Sequence, residues 1–562
     1  MGNKVSNHHP DDSPTEKTLL TSYSVAALPY PNSMSITSSN RDSLVHNKKI
    51  AIIGAGVSGI ICGSVLKESG YEVTLFEKSN RVGGVWGSAY PEARLQQTWH
   101  QYYHPDFPYP SPPDLYPSAP QIQEYFLKCA EHFGLNVKLN TSVVDMKETR
   151  KRSNKQDCWI LTYENHVTRR RKSEQYSFVV VAHGHYACEI PLPWSGADKF
   201  EMCGGTILQR TQIKDLNVLK DQKVAVIGFG KTAVDMCTFS VDHGATSTTH
   251  LFRTPRILIP LHVGGVHFSW LLFNRFHNLL IPTWGHPSKT WAFLHQKIPS
   301  LFIAIWWLIQ QIAWFFQTRC AIFAPREIRR RVKLLKSKSH ILKDHRVATG
   351  VCPVNFFPYV AKGKIVPIQG DVEELTSTGL LLKDGRKIEA DVILATIGKG
   401  NQVDTFPYLP EKYQKTFQEQ DNYSQGLQLY RHVLHPDVPN MAFMGWNAGY
   451  LHCSHVYLAS VWLSSMLDGE LKLPPKEEQR EMCIRMANWK RENLNYEPNL
   501  NSAIHTRILH YNDTLLRDLR LDPYRKSNFV EEIFGRYVPG DYKGIRKQVQ
   551  EKRHWRPVNI DM

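Results

Sequence analysis

The chain has 562 residues, a formal net charge of +16 and a pI near 9.2, with 42% hydrophobic and 11% aromatic residues. That length exceeds one ordinary domain, and the composition is that of a globular protein with a sizeable core. A basic balance admits nucleic acid, an anionic membrane or anionic cofactors as partners. The chain has no zinc finger, RNP-type motif or aromatic-basic repeat, which argues against nucleic acid.

Residues 1–47 are rich in Ser, Pro, Asn, Asp and Thr, lack apolar periodicity and read as a disordered segment. The start Met1-Gly2-Asn3-Lys4-Val5-Ser6 fits the N-myristoylation pattern, and no basic start followed by an apolar run marks a secretory signal. Structure begins at Lys49. Ile50-Ala51-Ile52-Ile53 reads as a buried strand, residues 57–68 as a helix closed by Gly70, and residues 72–77 as the next strand. Between the first strand and the helix lies Gly54-Ala55-Gly56-Val57-Ser58-Gly59, a GxGxxG turn. Gly54 permits the turn, Gly56 lets backbone approach a pyrophosphate, and Gly59 lets helix and strand pack closely. Glu77, at the end of the second strand, is placed to accept the hydroxyls of an adenosine ribose. Just beyond, Gly83-Gly84-Val85-Trp86 supplies paired glycines for backbone to lie against a flat ring, with Trp86 as one wall. Turn, acid and Gly-Gly-Val-Trp together point to FAD.

The same grammar returns at 224–227, where Gly228-Phe229-Gly230-Lys231-Thr232-Ala233 opens a helix that Gly244 caps. Ala233 stands for the third glycine, a substitution the fingerprint allows. The following strand ends in Arg253 where an NAD site would carry a carboxylate, and a guanidinium suits the 2′-phosphate of NADPH, with Lys231 and Arg256 to assist. Two such starts imply two doubly wound α/β domains. Two further strands end in glycine turns, Phe178–Gly184 and Asp391–Gly398.

Residues 301–316 form the most apolar stretch, interrupted by Gln310 and Gln311 and followed by Arg326, Arg329, Arg330, Arg331, Lys333 and Lys336. Its shortness against the ~20 residues of a bilayer span favours a buried helix pair before a solvated basic face. The alternative is a helix in a membrane interface with the basic cluster on lipid headgroups. The ten cysteines are scattered without a CxxC pair, which excludes a dithiol reductase and suits a cytoplasmic location. No HExxH spacing occurs, and no metal site is expected.

From Lys48 to about Lys543 the chain resembles the flavin-containing monooxygenases, especially their plant-type branch. The resemblance rests on Gly83-Gly84-Val85-Trp86, Leu95-Gln96, Asp106–Pro110, Gly228–Lys231, Arg253-Thr254-Pro255-Arg256 and Tyr511-Asn512-Asp513. It implies FAD and NADPH as cofactors, with the NADPH domain inserted in the FAD domain. The divisions are then residues 48–215 and 385–480 for the FAD domain, 216–384 for the NADPH domain with an apolar insert near 265–320, and 481–562 for a helical extension. It also implies oxygen transfer from O2 through a peroxyflavin to a soft nitrogen or sulfur centre of a small lipophilic substrate. Gln97 and Thr98 are the polar candidates beside the flavin. The family's FxGxxxHxxx(F/Y) linker keeps only Gly205 here, with Gln209 and Ile213 at the histidine and aromatic positions. That departure predicts looser coupling and release of hydrogen peroxide. Rival readings are a Baeyer–Villiger enzyme using Arg94, and a weakened flavin-binding protein with NADPH oxidase character. Peripheral membrane contact is the remaining partner reading; nothing in the pattern specifies an oligomer.

Overall fold

The computed structural model describes residues 48–150, 157–184, 190–285, 288–344, 350–398, 406–420, 426–495, 500–505 and 507–552. The disorder and acylation readings of residues 1–47 lie outside these.

Two parallel five-stranded sheets follow one plan. The first has the order Met441–Phe443, Phe178–Val181, Lys49–Ile53, Glu72–Phe76, Asn136–Lys138. The second has the order Thr206–Gln209, Val392–Ala395, Lys223–Ile227, Ser247–Phe252, Ile365–Gln369. In each, the central strand runs through a glycine turn into a helix, Val57–Glu68 or Lys231–Asp242. In each, a three-stranded antiparallel meander precedes the strand that returns beside the central one. The meanders are Thr141–Arg150, Asp157–Asn165, Arg171–Tyr176 and Val372–Thr376, Gly379–Leu382, Lys387–Glu389.

The central strands are continuously apolar because both faces of each sheet are covered. Side chains alternate, so Ile50 and Ile52 enter one core with Ile60 and Val65, while Ala51 and Ile53 enter another with Trp159 and Phe443. Val224 and Val226 part from Ala225 and Ile227 in the same way. This two-sided burial is the doubly wound arrangement expected from the sequence.

All five strands of the second sheet fall between residues 206 and 395, between the first-sheet strands Phe178–Val181 and Met441–Phe443. The second domain is therefore inserted in the first. Its borders differ from those drawn at 215/216 and 384/385. Thr206–Gln209 and Val392–Ala395, assigned above to the FAD domain, pair with each other in the second sheet, and Val392–Ala395 also pairs with the central Lys223–Ile227. A buried apolar strand ending at a turn looks alike in either domain, and only the pairing distinguishes them.

The buried-helix reading of residues 301–316 is also corrected. The segment is one 20-residue helix, Pro299–Thr318, in which only Phe302 and Trp306 are buried. Beyond it, the C-terminal extension is helical over Lys476–Asn493, Ile508–Asp518, Phe529–Phe534 and Ile545–Lys552, beginning slightly before the expected 481.

Insert and extension are joined by a buried charge cluster. Arg275 donates to Asp513 at 2.7 Å and to Glu532, and lies 4.7 Å from the Tyr524 ring centroid. Burial opposes its charge, but Asp513 and Glu532 outweigh that and hold the guanidinium protonated. The Tyr511-Asn512-Asp513 motif is thus a brace: Asp513 takes Arg275, and the Tyr511 hydroxyl donates to the Arg431 carbonyl at 2.9 Å. Arg275→Ala leaves two buried carboxylates without their cation, which should cost about 3–5 kcal/mol. Arg94→Ala breaks a pair with Asp114 that is about half exposed and screened by water, and should cost far less. Urea midpoints compare the two, and equal losses would contradict the brace.

Candidate functional site: two dinucleotide cradles

The first cradle is shaped by contacts that leave no room for side chains. Gly54 has φ +108°, and a Cβ there would lie 2.8 Å from the Ala182 carbonyl oxygen. A Cβ on Gly59 would lie 2.0 Å from the Gly54 oxygen, so helix Val57–Glu68 sits directly on the turn. The Gly83-Gly84 turn is pressed against it: a Cβ on Gly84 would meet the Gly56 Cα at 3.0 Å, and the Gly83 N–H donates to the Ala55 carbonyl at 2.9 Å. Glu77 is buried, and its carboxylate accepts the Ala55 N–H at 2.9 Å and the Ser79 N–H at 2.9 Å. The Ser79 hydroxyl also donates to it, at 2.8 Å. Trp86 donates its indole N–H to the Tyr102 hydroxyl at 3.0 Å, which fixes the ring, while Val85 is 43% exposed beside it.

A second helix end reaches this cradle. His452, at the start of helix His452–Leu467, bonds Ser58 at 2.9 Å, and a Cβ on Gly445 would strike the Ser58 hydroxyl. Desolvation lowers the His452 pKa to about 4, so the imidazole is neutral. Two helix N-termini with free N–H groups therefore converge near one turn, which suits a ligand carrying phosphate and carbonyl oxygens. Sequence reasoning passed over Ser58 and His452, although residues 441–445 carry a short apolar strand and a glycine.

The second cradle repeats the first. Gly228 has φ +132°, and a Cβ there would lie 2.4 Å from the Thr396 carbonyl oxygen. Thr396 donates its hydroxyl to the Ile227 carbonyl at 2.7 Å. The expected turns at Ala182–Gly184 and Thr396–Gly398 thus each cover the first glycine of a cradle. A Cβ on Gly230 would meet nothing within 4 Å, so that face of the turn is open to a pyrophosphate. Ala233 is buried. Lys231 donates to Asp235 at 2.6 Å, and Arg256 to the buried Asp344 at 3.2 Å. Arg253 stands exposed just past the strand Ser247–Phe252, and its guanidinium has no ion pair recorded among the described residues.

Three side-chain bonds sew the cradles together. Tyr90 donates to Asp235 at 2.7 Å, His243 and Glu92 pair at 2.9 Å, and the Val351 N–H donates to the Gln96 side chain at 2.9 Å. Burial and the Asp235 carboxylate push the Tyr90 phenol well up, so it remains the donor. Asp235 thereby takes Lys231 from its own helix and Tyr90 from the first domain.

Of the two candidates beside the flavin, Thr98 is engaged structurally. Its N–H and hydroxyl both contact Gln101 Oε1, at 3.1 and 3.0 Å, capping the short helix Trp99–Gln101. Gln97 is buried and its Oε1 accepts no hydrogen bond from the described residues. Arg94 is taken by Asp114 at 2.9 Å on the surface. In the linker, Gln209 donates to the Ile190 carbonyl at 2.8 Å and Ile213 is fully buried, so both replacements pack as structural residues. Among the described residues no cluster fits a metal ion.

The steric argument sets a contrast. Gly56→Asp puts bulk and negative charge where the first turn meets Gly84, and should remove most flavin from the purified protein. Gly230→Asp places the same charge on the open face of the second turn, and should leave flavin content intact while abolishing NADPH binding. Visible absorbance per protein checks the first and nucleotide titration the second. Normal flavin content in Gly56→Asp would contradict the placement.

Comparison with known proteins agrees with this geometry. A family model described as flavin-binding monooxygenase-like matches residues 47–310. The chain is 28% identical over 541 residues to probable flavin-containing monooxygenase 1 of Arabidopsis thaliana, covering 90% of this chain and 98% of the relative. It is 23% identical over 549 residues to dimethylaniline monooxygenase (N-oxide-forming) 2 of Oryctolagus cuniculus, covering 91% and 93%. Similar solved structures include S-allyl-L-cysteine S-oxygenase from Allium sativum (TM-score 0.54, 17% identity, 91% of this chain and 94% of that one). Closed cyclohexanone monooxygenase also matches (TM-score 0.61, 17% identity, 84% and 97%). At such identity the structural matches speak for the fold alone. Over most of its length the chain is similar to the flavin-containing monooxygenases, plant members among them, and it is a flavin-dependent monooxygenase whose cofactors are FAD and NADPH.

Proposed function

We propose that this monooxygenase moves one oxygen atom from O2 to a soft nitrogen or sulfur centre of a small lipophilic molecule, with NADPH rather than NADH as reductant. The observation that carries the reading is the pair of like-built cradles sewn together by Tyr90, Glu92 and Gln96, with an arginine where the second would otherwise carry an acid. Bound flavin supplies hydride acceptance and oxygen activation. The chain's part is placement and shelter. Gly54, Gly56 and Gly59 admit the FAD pyrophosphate, Glu77 takes the ribose hydroxyls, and Gly84, Val85 and Trp86 line the ring. Gln97, with its buried unpaired oxygen, orients the flavin edge or the substrate. Gly228 and Gly230 admit the NADPH pyrophosphate. Lys231 is already neutralised by Asp235, so recognition of the 2′-phosphate falls on Arg253.

Attack on nitrogen or sulfur needs no cation beside the oxygen donor, whereas the Baeyer–Villiger alternative asked Arg94 for that task. Its pairing with Asp114 favours the first reading. The name of the N-oxide-forming relative from Oryctolagus cuniculus supports it. The nine described cysteines form no disulfide with one another, which supports a cytoplasmic setting.

Loss of a charge-assisted phosphate contact typically costs ~1.5–3 kcal/mol, roughly ten- to over a hundredfold. Arg253→Ala should therefore weaken NADPH by that factor and leave NADH nearly unchanged. Equal effects on both nucleotides would count against the assignment. The same assays, run with a thioether and with a cyclic ketone, should give sulfoxide and no lactone. Peroxide measured per NADPH consumed should be substantial, as the altered linker implies; lactone as the main product would overturn the substrate class.

A further inference from the structure

The helix Pro299–Thr318 is largely apolar, yet only Phe302 and Trp306 on it are buried. With the turn that follows, to Ala321, it is long and apolar enough to cross a membrane by length and composition, and 11% of its most apolar 18 residues are buried. At 100° per residue, Phe302, Trp306, Gln310 and Gln317 share one face. That face is moored. Trp306 donates to the Leu280 carbonyl at 2.9 Å, Gln310 to Ser339 at 3.1 Å, and Gln317 to Leu258 at 2.9 Å. Lys336 donates to Gln311 at 2.8 Å. The opposite stripe is Leu301, Ala304, Leu308, Ile312 and Phe315, with Trp307 at its edge. Leu308 and Phe315 are each 54% exposed, and Trp307 is 56% exposed. No charged residue occurs from Ile298 to Thr318. Past the helix end, Phe323 is 99% exposed.

The neighbouring sequence is strongly basic. Residues 319–338 hold eight Lys or Arg and one Glu. Arg326, Arg329, Arg330 and Lys333 on the helix Arg326–Leu334 all face solvent.

We propose that this surface docks in the plane of an anionic phospholipid bilayer, the apolar stripe entering the acyl boundary and the basic helix lying against headgroups. Moorings at Trp306, Gln310, Gln311 and Gln317 run along the helix, so it cannot turn upright to span without breaking them. An in-plane helix with an apolar face and flanking cations is the composition of a monotopic anchor. A second copy of the chain is a poorer occupant, because a two-fold contact would bring two clusters of like charge together. A bilayer surface rich in anionic lipid opposes that charge instead.

Flotation with phosphatidylcholine vesicles, with and without phosphatidylserine, tests this on full-length Gly2→Ala protein, so that no acyl chain contributes. The protein should bind the anionic vesicles, and added salt should weaken the binding. Leu308→Glu with Phe315→Glu, and separately Arg329→Glu with Arg330→Glu, should each weaken it on the order of tenfold or more. Both pairs are exposed, and unchanged flavin content will show that the fold survives. Absence of binding by the Gly2→Ala protein, or unchanged binding by either double variant, overturns the proposal. So does a dimer in solution that the Leu308→Glu, Phe315→Glu variant dissolves without any vesicle binding.

Discussion

The architecture depends on two places where backbone meets backbone with no room for a side chain. At Gly54 the chain passes under Ala182 and His183, and at Gly228 it passes under Thr396. Each contact lies between the central strand of a sheet and the strand that returns beside it. There the strand order reverses, and in open α/β sheets the crevice at the carboxyl ends of such strands receives the ligand. Because the return strand caps the first glycine, the helix that follows is pinned with its N-terminal N–H groups facing the crevice. A methyl group at either glycine would lift the cap and move those groups. The cradles are thus fixed by exclusion before any polar contact is made.

Electrostatics then works on a prepared frame. Glu77 is bonded to the Ala55 and Ser79 amides, so its carboxylate is held in place beside the first turn. Asp235 joins Lys231 of its own helix to Tyr90 of the other domain, which sets the height of one cradle against the other. Gln209 and Ile213 anchor the linker to residue 190 and to the core of the second domain.

What the sequence made legible follows from local necessity. Glycine spacing could be read because it answers a constraint within a few dozen residues. The two-domain plan followed from finding that pattern twice, and the insertion from the family resemblance. Long-range bonds were not legible. Tyr90 and Asp235 are 145 residues apart, and neither residue type announces a partner. Thr98 looked available because its use as a cap on Trp99–Gln101 depends on where that helix starts. Gln310 and Gln311 looked like interruptions in an apolar run, but Gln310 bonds the chain near residue 339 and Gln311 accepts from Lys336. Polarity in a sequence does not say whether an amide meets water or a carbonyl. The domain borders moved for a similar reason, since strand pairing decides which sheet takes Thr206–Gln209 and Val392–Ala395.

Placement of two cofactors in one sewn frame has a direct optical consequence. The most telling measurement is rapid-mixing absorbance of the purified protein, first with NADPH without oxygen and then with oxygen admitted. The account predicts that NADPH bleaches the protein's flavin bands, that oxygen restores them, and that one oxygenated product or one peroxide forms for each NADPH consumed. A flavin that remains oxidised when saturating NADPH is present would mean that the two cradles do not bring their cofactors together, and would contradict the account at its centre.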